Sequence, residues 1–342
     1  MHSVITKETP SDAKDGHAPM RARLRFKLPA NLLLLPALVA TFVAGAFVSP
    51  VFLNPSNIVD NIAGSSAPLA LLSLGLTLIL LTDNFDLSLQ STVGFAPMLA
   101  GLLMVPSEFG GVGANLNPFL GFVIALVLGA GIGAFNAMLI VKVGLNGFMV
   151  TLSMLIVVSG LTLGFSNGRT VSPLPDSFTY LGNTHWLGVP VSVWLVGAIS
   201  LVIGGFLRYH RIGRSIYAIG GNLEAARASG ISVDRIRVGV FVVGGALAAL
   251  GGIVISGITS AVTANQGNNM IFSAFAAVVI GGVSLQGGKG TVLGVLSGVL
   301  LLGAITNVLT LAQVSSFWID AIYGVVILLA LLVGRIGGKG HV

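Results

Sequence analysis

The sequence predicts an all-α integral membrane protein with about ten transmembrane helices. Three observations predict it: charged residues are scarce, the stretches between them are long enough to cross a bilayer, and counting those stretches as crossings gathers the basic residues on one side. Hydrophobic residues make up 54% and charged residues only 8% of the 342, with a mean hydropathy of +0.97, where an ordinary soluble domain carries about 25% charged residues. A helix crosses the hydrocarbon core with about 20 apolar residues. The expected spans are 31–52, 65–82, 90–105, 118–141, 147–166, 190–207, 238–258, 270–285, 291–311 and 318–334, with Asn265, Gln266, Gly267, Asn268 and Asn269 forming the polar turn between the seventh and eighth.

Residues 1–27 are polar, contain Pro10, Gly16 and Pro19, and end in Arg21, Arg23, Arg25 and Lys27. Such a composition cannot bury a core and predicts a disordered cytoplasmic tail. The apolar run after it is longer than the h-region of a signal peptide, so a retained first helix is expected. With the N-terminus in the cytoplasm, ten crossings place sixteen of the seventeen Lys and Arg residues on the cytoplasmic side and Arg169 outside, as the retention of basic loops requires. Dropping one crossing would scatter the bases over both faces, so both termini are expected in the cytoplasm. The net charge of +6 then reflects topology, and nucleic acid is not an expected partner. Cysteine is absent, which excludes disulfides and thiolate metal sites.

After the second span, Asp83-Asn84-Phe85-Asp86-Leu87-Ser88-Leu89 sets two carboxylates at a membrane boundary. Ionisable groups at such depth are costly unless hydrated or paired, and they often mark a pathway or a moving element. Asp86 and Ser88 are therefore candidates for a translocation pathway or gate, with capping of the third span as the other reading. Asn136, Ser153 and Asn307 are polar groups inside spans that could line the same pathway for a hydroxylated solute, or hydrogen-bond between helices. Gly129, Gly131 and Gly133 in the fourth span, and Gly294 and Gly298 in the ninth, recur at spacings that let helices approach closely. The longest outward loop, 166–190, is expected to hold a short amphipathic element with Phe178, Tyr180, Leu181 and Trp186 at the interface, serving as a headgroup-level anchor or as a docking surface for an external protein.

A membrane pathway in this chain would need an energy source elsewhere, or none. The run Gly282–Thr291 looks like a phosphate-binding loop, but Val283 stands where the first Gly is needed and Gly290 where the hydroxyl is needed. No metal site or nucleotide hydrolysis is expected of this chain. No span carries the buried carboxylates, His or Arg expected of a proton relay or voltage sensor, Asp320 lying near the outer end of the last span.

The richest charged segment is 208–237, with six Arg, one Glu and one Asp in thirty residues. Between Tyr217 and Ile231 the residues predict one short helix of about two turns. Asn222 is a good N-cap, Glu224 suits the first turn, and Gly230 can stop the helix. Ala225, Ala226 and Ala228 give that helix a low profile that could enter a groove on a soluble partner.

At these residues a resemblance becomes specific. Glu224-Ala225-Ala226-x-x-x-Gly230 resembles the coupling segment of ABC-importer membrane subunits. Gly213-Arg214-Ser215-Ile216-Tyr217-Ala218-Ile219-Gly220-Gly221-Asn222, running into Ala225-Ala226 and Ser229-Gly230-Ile231, is similar to the ribose/xylose-type sugar permeases. Asp86-Leu87-Ser88, Leu187-Gly188-Val189-Pro190, Gly281-Gly282-Val283-Ser284-Leu285 with Gly287-Gly288-Lys289-Gly290, and Val314-Ser315-Ser316 match the same pattern, so the likeness covers nearly the whole chain after residue 30. The match to the coupling pattern ends after Gly230. Where that pattern has Ile-x-Leu-Pro, this chain has Val240-Phe241-Val242-Val243.

The resemblance implies an ABC importer permease fold: a transmembrane permease domain over 28–342 with a cytoplasmic coupling loop at 208–237. It implies a multi-pass protein of the bacterial inner membrane, surrounded by lipid, paired with a second permease copy as a homodimer and served by cytoplasmic ABC ATPases and a periplasmic sugar-binding protein. ATP and Mg would be used by the ATPase, leaving no cofactor in this chain and no enzyme activity of its own. Asn222, Glu224, Ala225, Ala226, Arg227, Ser229 and Gly230 are the residues the resemblance assigns to ATPase coupling. The implied cargo is a monosaccharide or related polyol. Two alternatives are a permease subunit for nucleosides or branched-chain amino acids, and a stand-alone secondary transporter.

Overall fold

Apolar stretches bounded by Asn, Pro and Gly become helices at the places their end signals set. The structure, a computed structural model, describes residues 30–315 together with 318, 319, 321, 322, 324 and 325. The expected tail, 1–27, and most of the expected tenth span, 318–334, lie outside the described residues. In chain order the α-helices are α1 Ala30–Val48, α2 Ser65–Leu81, α3 Leu89–Met104, α4 Pro118–Ala137, α5 Gly147–Ser166, α6 Asp176–Asn183, α7 Val191–Tyr209, α8 Arg211–Gly221, α9 Leu223–Ala228, α10 Val233–Thr259, α11 Met270–Ile280 and α12 Val292–Leu311. π-Helical turns extend α2 backwards over Asn57–Gly64 and α4 forwards over Met138–Lys142, and a two-stranded antiparallel hairpin, β1 His185–Trp186 with β2 Val189–Pro190, follows α6.

Side-chain caps explain several starts. The Asn117 side-chain oxygen accepts from the Phe119 amide with Pro118 at the first helical position, Asn146 accepts from Met149, and Thr291 accepts from Gly294. Each satisfies an amide that the helix itself leaves without a partner.

Among the described residues, six helical stretches are long and apolar enough to cross a membrane: 57–81, 118–142, 147–166, 191–209, 233–259 and 292–311. At the other three described span positions the apolar stretches are shorter: 34–48 within α1, α3 with 16 residues and α11 with only 11. The expectation for 270–285 is corrected here, because Gly281 and Gly282 end α11 at Ile280 and the chain continues as a loop. At about 1.5 Å per residue α11 is about 16 Å long, roughly half a bilayer core. The seventh expected span also starts earlier than 238: α10 begins at Val233, with Asp234 in its first turn where a negative charge suits the helix dipole.

Helices α2 and α10 form the centre, enclosed by α3, α4, α7, α11 and α12. Their contact is backbone on backbone. A Cβ on Gly75 would stand 2.9 Å from the Gly244 carbonyl oxygen and 3.1 Å from its Cα. The α4–α10 crossing is equally close, with Gly129 on the Gly245 backbone and Gly133 on the Phe241 carbonyl, and on the far side Gly298 of α12 lies on the Ala277 carbonyl of α11. Gly131 meets nothing within 4 Å, so of the three glycines expected to pack α4 the structure uses the pair four residues apart. Lipid tails are as apolar as leucine, so close packing of this kind has to supply what water supplies in a soluble core.

The turn 264–269 dips inward instead of staying at the surface. The buried Gln266 amide donates to the carbonyls of Val93 (3.0 Å) and Gly252 (3.1 Å), joining α3 to α10 and satisfying backbone that lipid could not. The expected amphipathic element in 166–190 is α6 with the following hairpin, where Trp186 donates to the Tyr180 hydroxyl at 2.8 Å.

These contacts distinguish glycines of the same helix. Gly133→Val should push α4 from α10 and cost about 1–3 kcal/mol through overpacking, seen as a lower melting temperature of the purified protein in detergent. Gly131→Val should leave that melting temperature unchanged.

Candidate functional site

The charged segment folds into two helices rather than the single one expected. The helix over Arg211–Gly221 was not expected, since only one short helix between Tyr217 and Ile231 was. Gly213, Ile216 and Ile219 lie on one face there, and burying that face makes α8 an amphipathic helix. His210 starts it, its Nδ1 accepting from the Ile212 amide at 3.2 Å. Helix α9 is the two-turn element the sequence predicts. Asn222 caps it, accepting from the Ala225 amide at 2.9 Å, and Glu224 sits in its first turn. Gly230 closes it at φ +77°, a left-handed conformation open to glycine at little cost, while Ile231 donates back to the Ala226 carbonyl at 3.1 Å.

Of the seven residues assigned to this surface, Asn222, Glu224, Ala225, Arg227, Ser229 and Gly230 are exposed and Ala226 is buried. Ala226 is therefore a packing residue that holds α9 against its own chain. Arg227 meets Asp234 at 3.3 Å with both side chains more than half exposed, a pair whose contribution to stability is at most about 1 kcal/mol.

What lies beneath the two helices was not read from the sequence. Gly220 lies directly on the Leu81 carbonyl at the end of α2 and on the Gly288 amide; any side chain there would collide with both. Gly288 in turn donates to the Leu81 carbonyl at 3.1 Å. Tyr217 donates its hydroxyl to the Gly290 carbonyl at 3.0 Å, and its half-burial pushes the phenol pKa up, which keeps the group a donor. Arg237, at the base of α10, donates to the Thr82 carbonyl at 3.3 Å, where a cation suits the C-terminal end of α2. The run that imitates a phosphate-binding loop is thus a structural wedge between α2 and α8. The sequence signal was present in the glycine pairs Gly220-Gly221 and Gly287-Gly288, 67 positions apart.

Beside this junction, the structure brings together three of the five candidate pathway residues. Asp86, fully buried between α2 and α3, accepts from the Ser88 amide (2.8 Å) and hydroxyl (2.6 Å), and the Asn136 amide of α4 reaches Ser88 Oγ at 2.7 Å and Asp86 Oδ2 at 3.3 Å. Burial pushes the Asp86 carboxyl up to about 6, while the hydrogen bonds from Ser88 and Asn136 pull it back. The Asn136 side-chain oxygen, also buried, has no hydrogen-bond partner among the described residues. The other two candidates lie elsewhere. Ser153 is exposed on α5, and Asn307 is engaged in a reciprocal pair with Asn57, at 2.8 and 3.0 Å.

The Asp86 cluster should carry a pH signature. Its folded-state pKa lies above the unfolded value of 3.8, so the folded chain holds the proton more tightly; the fold is favoured below pH 3.8 and loses that contribution as pH rises to about 6. Melting temperature should fall across that window in the wild type, and Asp86→Asn should flatten this part of the profile. Asn136→Ala removes a donor from two buried oxygens and should cost about 1–3 kcal/mol in the same assay.

Residues 58–331 match the model of the family described as branched-chain amino acid transport system / permease component. The ribose import permease protein of Escherichia coli K12 is 37% identical over 306 residues, covering 88% of this chain and 91% of that protein. The autoinducer 2 import system permease protein of Klebsiella pneumoniae is 37% identical over 292 residues, covering 85% and 82%. The ribose import permease protein of Bacillus subtilis is 33% identical over 292 residues, covering 85% and 88%. No solved structure matches. A bundle of apolar helices, joined at one end to a charged two-helix loop and matched over most of its length, belongs to the branched-chain amino acid transport system / permease component family of membrane proteins.

Proposed function

We propose that this chain is the membrane-spanning permease subunit of an ATP-driven, binding-protein-dependent importer for a monosaccharide or related polyol, located in the bacterial inner membrane. The observation that carries the proposal is the seating of α8 and α9. The exposed, capped, alanine-rich helix α9 directly follows α8, and α8 rests through Gly220 on the end of the most enclosed helix of the bundle. A soluble protein that grips α9 therefore gains a hold on α2. The partners are a pair of cytoplasmic ABC ATPases, which use the ATP and magnesium, a periplasmic sugar-binding protein, and a second copy of this chain. Ten spans with both termini in the cytoplasm agree with the distribution of Lys and Arg, and they put α8 and α9 on the ATPase side.

In this reading, closure of the ATPases displaces α9 and α8. The Gly220, Tyr217 and Arg237 contacts carry that displacement to the ends of α2 and α10 and to the loop 281–291. The Asp86–Ser88–Asn136 cluster links the same end to α3 and α4, so the inner ends of several spans shift together. Such a shift of packed helices is what alternating access requires. The two states differ in what the ATPase and binding protein hold, and those partners bias the equilibrium. The ribose named by two relatives favours a hydroxylated solute over a nucleoside or branched-chain amino acid.

Glu224 is exposed at the outer surface of this loop, so Glu224→Arg should leave the melting temperature unchanged. It should lower co-purification with the ATPase and sugar uptake by roughly tenfold or more, the effect of losing about 1.4 kcal/mol of contact. Normal uptake in that variant would overturn the proposal. Gly220→Val should retain ATPase binding and lose uptake, because it disturbs the joint beneath α8 rather than the surface above it.

A further inference from the structure

A groove lies next to this loop. A cavity of about 510 Å³ runs between α7, α8 and α10, with Val202 and Phe206, Ile216 and Val240 as its walls and Leu78 of α2 as its floor. Gly239 borders its open space: a Cβ there would meet nothing within 4 Å, so only a longer side chain would fill it. One end is apolar and lies at the depth of the spans, where α7 leaves Leu201 79% and Val202 71% exposed. The other end holds Ser232 and Arg235. Arg235 makes no hydrogen bond or ion pair among the described residues, because the neighbouring carboxylate, Asp234, is taken by Arg227. From Arg235 to Val243, which also lines the cavity, eight residues of helix place the cation about 12 Å from the apolar end.

We propose that this groove binds one acidic phospholipid, its acyl chain lying along the α7–α10 wall and its phosphate held by Arg235 and Ser232. A soluble anion would satisfy Arg235 and leave the apolar wall unfilled, whereas a zwitterionic lipid would fill the wall and set its own cation near the guanidinium. An acidic lipid satisfies both ends, and the planar guanidinium fork suits a phosphate. Basic pockets between helices at a membrane surface have this character. The inference rests on the proposed function only in that it places α8 at the membrane–water boundary. It implies that a lipid braces the start of α10 beside Arg237, the residue that reaches α2.

The test uses the full-length chain purified in detergent, loaded with phosphatidylglycerol or phosphatidylcholine and examined by native mass spectrometry. The wild type should retain one phosphatidylglycerol, with phosphatidylcholine retained roughly tenfold less, a difference of about 1.4 kcal/mol. Arg235→Gln, a change at an exposed side chain, should reduce phosphatidylglycerol to the phosphatidylcholine level, and Gly239→Leu should reduce both lipids by filling the groove. Equal retention of phosphatidylglycerol by wild type and Arg235→Gln overturns the proposal. So does retention of both lipids by Gly239→Leu, or cross-linking of Gly239→Cys to its counterpart in a second copy, which would make the groove a chain-to-chain interface. Glu224→Arg should keep its lipid while losing uptake, so failure of the lipid site and failure of the transport reading give different results.

Discussion

A helix that ends inside protein must find donors for its last carbonyls, and the end of α2 is where this fold meets that requirement. Water is largely excluded there, and an unpaired backbone oxygen would cost several kcal/mol. Two donors come from distant parts of the chain, Gly288 to Leu81 and Arg237 to Thr82, and the amides of Thr82 and Asn84 turn back locally to Ile79. Because one helix end collects them all, the loop after α11, the base of α10 and the underside of α8 meet at a single place. The joint that the proposed mechanism uses is thus a by-product of backbone hydrogen bonding.

The same constraint accounts for the glycines. Within lipid, helices gain little from burying leucine against leucine, so contact has to come from backbones that approach closely. Glycine allows this at Gly75 on Gly244 and at Gly129 on Gly245 in the spans, and again at Gly220 on Leu81 at the joint. A junction made of backbone on backbone has no long side chains to absorb a displacement. It passes movement on with little slack, which a coupling element between a soluble motor and a membrane bundle needs.

Much of the architecture was legible in the sequence because hydrocarbon penalises charge so heavily. The expected spans locate α5, α7 and α12 to within two residues at either end, and α4 at its start, its expected end at 141 being reached only by the π-helical extension to Lys142. Boundaries fail where a helix leaves the membrane and carries on in charged sequence, as at Val233, or where glycines stop it early, as at Ile280. Helix α9 was readable from Asn222, Glu224 and Gly230 because caps are local signals. Helix α8 was not, since its stabilising face depends on what it is buried against. The candidate polar residues divide in the same way. Asp86 and Ser88 are neighbours in sequence, but their link to Asn136 spans 50 positions and the Asn57–Asn307 pair spans 250, so neither was visible without the fold.

That last pair has a consequence for how the bundle can move. Asn57 and Asn307 hold each other by two reciprocal hydrogen bonds at the end of α2 opposite the joint, pinning it to α12. With helical rise taken at 1.5 Å per residue, the pin and Leu81 are about 35 Å apart. Under the push that the proposed mechanism applies at the other extremity, a rod held this way would pivot with the amide clasp as its fulcrum. Each degree of tilt about it swings Leu81 by roughly 0.6 Å, and travel diminishes steadily towards the clasp.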